Sequence, residues 1–285
     1  MIPLYDNIPA RGTPWVNYTL IGICGVVFAI QLVAGSIDAR SIPEGPRLEE
    51  RFGMIPARVA RPDRPLTKEV QGVLRGRPVL VEVPIAPTPI PAWLTLVTCV
   101  FLHGGWLHFL GNMWSLWIFG DNVEDRLGHV GYLMFWLAAG IVASLTHLLS
   151  DPNSAIPTIG ASGAIAGVMG AYLLLYPRAL VVTLIPLGPI LQSMAIPAPA
   201  FLGIWFVLQL VQGFATAGGQ VAGVAWWAHI GGFVLGFLAA ALLRAVGETS
   251  PPVEERRGTD RAGRFERRES DFRGRLDRRT RWDED

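Results

Sequence analysis

Four polar side chains stand in otherwise apolar stretches of this sequence, and between them they carry the chemistry of acyl transfer. Ser162 opens an apolar run within Gly160-Ala161-Ser162-Gly163, and His229 lies inside another, Ala228-His229-Ile230-Gly231-Gly232. His108 and Asn112 are four residues apart in a third. Acyl transfer needs a nucleophile, a base within hydrogen-bond reach, and donors aimed at the developing oxyanion. The hydroxyl of Ser162 and the imidazole of His229 meet the first two needs. The spacing of His108 and Asn112 puts both on one helix face, one turn apart. With the backbone N–H of Ser162 they are candidates for the third. A serine at a helix start also sits at the positive end of the helix dipole. No aspartate in an apolar run offers itself as a third member, so a Ser–His dyad is the economical reading. Each residue has a plainer role when taken alone: Ser162 as a cap or packing residue, the others as polar glue between helices. Their joint occurrence favours chemistry.

The elements that must position these residues are membrane spans. Of the 285 residues, 51% are hydrophobic and 16% charged, against about 25% charged in a soluble domain. Ten Trp and 32 Gly also suit bilayer helices. A spanning helix takes about 20 apolar residues, and six candidate spans are predicted at about 14–34, 105–120, 130–149, 160–177, 199–216 and 224–245. Ser162 thus opens the fourth span, and His229 lies in the sixth. Gly163-x-x-x-Gly167 and Gly232-x-x-x-Gly236 are small-residue pairs that let two helix backbones approach closely. That approach is what a Ser162–His229 hydrogen bond requires.

An even number of spans puts both termini on one side. The short loops there carry Arg11, Arg126, Arg178 and Arg244, whereas the opposite short loops, 150–159 and 217–223, have no Lys or Arg. The termini are therefore expected in the cytoplasm. The long stretch 35–91, placed outside, runs against the rule with nine basic and seven acidic residues. It is read as a structured cap or a partly disordered loop. Residues 1–13 form an N-terminal tail, and 14–247 the membrane domain. Residues 248–285, with eleven Arg and eleven Asp or Glu, form a charged tail with too few apolar residues for a core, so disorder is expected. No small-residue cleavage site follows the first apolar run, which is expected to remain as a span.

The remaining polar residues have modest readings. Cys24 and Cys99 are expected to be small buried hydrophobes. His103 and His108 lack the further Cys or carboxylate ligands that a metal would need, so neither metal nor cofactor is expected. His129 and His147 are read as interfacial residues at span ends. Gln209 and Gln212 are expected to pack or bond between helices, and Glu124 to bond loop backbone. A net charge of +1 provides no general attraction for nucleic acid.

Taken together, His108-Phe109-Leu110-Gly111-Asn112, Gly160-Ala161-Ser162-Gly163 and Ala228-His229-Ile230-Gly231-Gly232-Phe233-Val234-Leu235-Gly236 resemble the three motifs of the rhomboid intramembrane serine proteases of bacterial type. The resemblance covers about 90–245, and Phe119 to Asp125 resembles the loop after that family's second span. It implies an all-α membrane protein, a six-transmembrane-helix bundle in a bacterial inner membrane. It also implies a Ser–His endopeptidase without a metal, whose partners are transmembrane protein substrates and the lipid bilayer. Substrates would be cut near the outer face, with the fifth span and last loop as their gate. Many relatives carry a Tyr four residues after the serine, where this chain has Ala166. The alternative is a catalytically silent relative that binds and moves membrane helices. A transporter would call for charged spans or repeat symmetry, and neither is evident.

Overall fold

A computed structural model describes residues 2–41, 48–74, 77–187, 190–215 and 224–247. The expected disorder of 248–285 and the loop 217–223 lie outside the described residues.

Eight helices and five strands are described: β1 (Ile2–Asp6), α1 (Trp15–Ser41), α2 (Leu48–Phe52), α3 (Pro56–Ala60), β2 (Thr67–Leu74), β3 (Arg77–Pro84), α4 (Thr95–Thr98), α5 (Trp106–Ser150), α6 (Ser162–Leu175), β4 (Leu180–Leu187), β5 (Ile190–Pro197), α7 (Ala198–Ala215) and α8 (Trp226–Ala245). Among the described residues four helices are long and apolar enough to cross a membrane: α1, α5, α7 and α8. The 45-residue α5 is broken at Gly128, whose φ of 69° and ψ of 165° are not helical. Glycine reaches that conformation without a Cβ penalty. The second and third expected spans are the two arms on either side of this break. The stretch from Phe119 to Asp125, expected as a loop, is helical instead and ends the first arm. Several of its residues are turned inward: Phe119, Gly120, Asn122, Val123 and Glu124 are all buried.

α6 has only 14 residues, about 21 Å at 1.5 Å per residue, less than the roughly 30 Å of a bilayer core. It is buried on every side from Gly163 to Tyr172, packed between α5 and α8. Glycine makes this packing close. A Cβ on Gly232 would stand 2.0 Å from the carbonyl oxygen of Gly163, and one on Gly236 would stand 1.8 Å from that of Gly167. Gly170 faces the Phe233 carbonyl in the same way, and a Cβ on Gly163 would meet Ala143 of α5 at 2.5 Å.

The all-α expectation holds for the helices of spanning length and fails at both ends. β4 and β5 form an antiparallel hairpin to which β1 adds as an edge strand, with Ile2 opposite Leu184. β2 and β3 pair separately, Thr67 opposite Pro84. The stretch 35–91 is structured over most of its described residues. Ala57 N–H donates to Ser154 O, and Met54 bridges to Thr158. These contacts put α2, α3, the 150–160 turn and the head of α6 at one end. At the other end Asp125 accepts from Arg11 N–H, Asn7 N–H donates to Leu180 O, and Arg244 donates to Leu174 O. Buried Glu124 holds the start of α1 there, accepting from Val16 N–H at 3.0 Å and Asn17 N–H at 2.7 Å. Two backbone donors that the first turn of a helix leaves unpaired are thereby satisfied.

Candidate active site

The head of α6 is fixed by a turn that only glycine fits. Gly160 has φ of 119°, its N–H donates to Cys99 O at 2.9 Å, and a Cβ there would stand 2.6 Å from His108 Nε2. Ser162 follows as the first residue of α6, where backbone N–H groups have no partner within the helix. Its Oγ lies 2.7 Å from His229 Nε2 on α8. The glycine contacts between α6 and α8 bring the pair together, and both residues are part-buried.

The tautomer of His229 follows from its neighbour on α7. Buried Gln209 donates from Nε2 to Trp205 O at 3.2 Å, so its Oε1 is the atom 2.8 Å from His229 Nδ1. An amide oxygen only accepts. Nδ1 therefore carries the hydrogen, and Nε2 presents its lone pair to the Ser162 hydroxyl. The Trp205 ring lies 5.9 Å from the imidazole, and Trp226 meets it edge-on at 6.2 Å. Aromatic contact with His229 thus comes from α7 and α8, with the small, fully buried Ala166 at the α6 position.

His108 and Asn112 reach the same place from α5. His108 Nδ1 accepts from Gly104 N–H at 3.3 Å, which leaves the hydrogen of the neutral ring on Nε2, the atom that faces Gly160. Asn112 Nδ2 is buried without a hydrogen-bond partner and would lie 3.5 Å from a Cβ on Gly160. A buried donor left unpaired costs about 1–3 kcal/mol, and here that donor is open to an incoming acceptor. Beside Ser162 is a cavity of about 20 Å³ lined by Cys99, Ser144, Thr158, Gly160 and Ala228 among others, enough for one water.

Ser162, His229, His108 and Asn112 therefore gather at the head of α6, and the paired glycines lie along the α6–α8 seam. His103 is buried 5.4 Å from the His108 ring, and among the described residues no group of His, Cys, Asp or Glu is set to hold a metal. Cys24 and Cys99 are buried and unpaired. His129 bonds Glu124 at 2.5 Å. The contact missed in the sequence is Gln209 with His229. Its only signal was a polar side chain on an apolar helix, which does not say which neighbour it will meet.

Apolar helices of spanning length, packed around a short buried helix that carries a serine against a histidine, define an integral membrane protein with an internal polar site. Residues 91–246, more than half of the chain, match the family model of the Rhomboid domain, and the chain belongs to the rhomboid family. It is 34% identical over 153 residues to the Rhomboid protease GluP of Bacillus subtilis, covering 53% of this chain and 26% of that protein. Rhomboid-like protein 11, chloroplastic, of Arabidopsis thaliana is 40% identical over 78 residues, 27% of this chain and 28% of the relative. The Putative rhomboid protease YdcA of B. subtilis is 35% identical over 81 residues, 28% of this chain and 40% of the relative. The chain thus spans between about a quarter and two fifths of the length of these relatives.

Proposed function

We propose that this protein is an intramembrane serine endopeptidase that crosses the membrane six times and cuts transmembrane segments with a Ser162–His229 dyad. The observation that carries the reading is the 2.7 Å contact between Ser162 Oγ and the unprotonated Nε2 of His229. The six passes are α1, the two arms of α5, α6, α7 and α8, with both termini in the cytoplasm.

His229 Nε2 takes the Ser162 proton as Oγ attacks the scissile carbonyl. The carbonyl oxygen becomes an oxyanion and receives hydrogen bonds from Asn112 Nδ2, His108 Nε2–H and the Ser162 backbone N–H. The tetrahedral intermediate collapses as His229 gives its proton to the leaving amine. Water then hydrolyses the acyl-enzyme by the same route. The cavity beside Ser162 has room for that water. Because α6 is shorter than the bilayer core, the reaction takes place within the membrane's depth, on the side of the α2–α3 cap, which this reading puts outside the cell.

A serine-reactive fluorophosphonate tests the pairing. Mass mapping of the labelled full chain is expected to find the adduct on Ser162, and labelling is expected to fall to background in His229→Ala. Equal labelling in that variant, or no reaction at Ser162 in the folded wild type, would overturn the dyad and favour a silent relative that binds membrane helices.

A further inference from the structure

Both ring nitrogens of His229 are engaged, and by different helices. Nε2 faces Ser162 on α6, and Nδ1 faces Gln209 on α7. The Gln209 amide cannot be turned over without loss, because its Nε2 already donates to Trp205 O at 3.2 Å. Trp205 and Gln209 are four residues apart and so share one face of α7. That face sets an indole and an amide carbonyl against the same imidazole. Gln209 is buried, whereas Ile204, Val207, Leu208 and Val211 on the rest of α7 are about half exposed. α7 therefore reaches the site by one narrow face.

We propose that Gln209 is a positioning residue for the base, and that α7 must be seated against α8 for the base to be set. The inference rests on the Ser162–His229 reading above. The side-chain carbonyl of Gln209 accepts from His229 Nδ1–H and holds the imidazole in the tautomer whose Nε2 lone pair meets the serine. It also fixes the ring's rotation, as a carboxylate does in a three-membered site, but as a neutral amide that adds no charge to an apolar interior. Displacement of α7 removes the acceptor and the indole together. The imidazole then has no group to fix its hydrogen on Nδ1, and the alternative tautomer presents Ser162 with a donor instead of a base.

The chain has five histidines, few enough for ¹⁵N-histidine NMR of the full-length protein in nanodiscs, with His229 assigned by its loss in His229→Ala. In the wild type His229 is expected to show a protonated Nδ1 and a bare Nε2. Gln209→Leu, close in size and without an acceptor, is expected to mix the tautomers. In that variant kcat on a reporter transmembrane substrate is expected to fall about tenfold to hundredfold, with KM within about twofold and the melting temperature unchanged. Gln209→Glu keeps a carbonyl oxygen at the same reach and is expected to restore the tautomer and most of kcat. An unchanged tautomer with wild-type kcat in Gln209→Leu would overturn the proposal. So would equal losses in the Leu and Glu variants with the Nδ1–H form retained. The tautomer is read without any cleavage. A wild type no more active than Ser162→Ala therefore strikes at the dyad and leaves the Gln209 contact to be judged by its own signal.

Discussion

Asn112 shows why a single side chain at this site can matter for rate and little for stability. Its Nδ2 is buried and unpaired, and in the proposed mechanism it would be used only when an oxyanion forms beside Ser162. Removing one such donor costs about 10²–10³ in kcat where it has been measured. Asn112→Ala is expected to lower kcat by about that factor, to change KM little and to leave thermal unfolding at or above the wild-type temperature, since an orphaned polar group is removed. A loss of stability with kcat intact would show that Asn112 is a packing residue. The sequence made this position legible because polar residues in apolar helices are costly and the four-residue spacing from His108 fixed a common face. It left the tautomers open: that of His108 depends on a backbone N–H four residues before it, and that of His229 on Gln209, a residue 20 positions away on another helix.

Among the elements, the contact of α6 with α8 is what brings Ser162 and His229 together. The glycine pairs were legible because the four-residue period of Gly163 and Gly167, and of Gly232 and Gly236, puts each pair on one face. Gly170 and Gly231 were not singled out, although a Cβ on Gly231 would meet Thr146 at 2.1 Å, because which helix faces them is a tertiary fact. Gly236→Ala puts a methyl 1.8 Å from Gly167 O and forces the helices apart. It is expected to cost about 1–3 kcal/mol and to reduce cleavage by much more than the stability loss explains, measured as melting temperature and kcat on the same preparation. β1 was not legible at all, since five residues of mixed polarity acquire their strand only from the edge of β4. Its anchor, Asp6, accepts from Tyr172 Oη at 2.5 Å and Asn122 Nδ2 at 2.8 Å. Burial outweighs these bonds and raises its pKa to about 6, against about 4 in an unfolded chain. Between those values the folded state binds more protons than the unfolded one, so Asp6's contribution to stability is present below about pH 4 and is lost as pH rises through about 6. Thermal unfolding across that window is expected to show this decline in the wild type and a shallower one in Asp6→Asn. An unchanged slope in the variant would mean that Asp6 does not titrate there.

At the scale of the whole molecule, the six apolar runs were legible from length and composition, with helix ends mostly within a few residues of those expected. The break at Gly128 falls in the expected gap between the second and third runs. One stretch was not legible: Phe119 to Asp125, expected as a loop, is kept helical by burial of one face. The shortness of α6 also escaped, because the expected span counted the Gly160–Ala161 entry and ran to Pro177, whereas the helix occupies only Ser162–Leu175. Under the proposed reading, the head of the short α6 puts Ser162 on the side of the α2–α3 cap, and a substrate's span would be reached from that side. The most direct measurement is cleavage by purified full-length protein in liposomes of a reporter with one transmembrane segment, its products mapped by mass spectrometry. The expected result is a single main cut in the half of the segment nearer the side opposite the enzyme's termini, absent in Ser162→Ala. Equal cleavage by Ser162→Ala, or a folded wild type that cuts no member of a broad reporter panel, would contradict the assignment of this site as a protease.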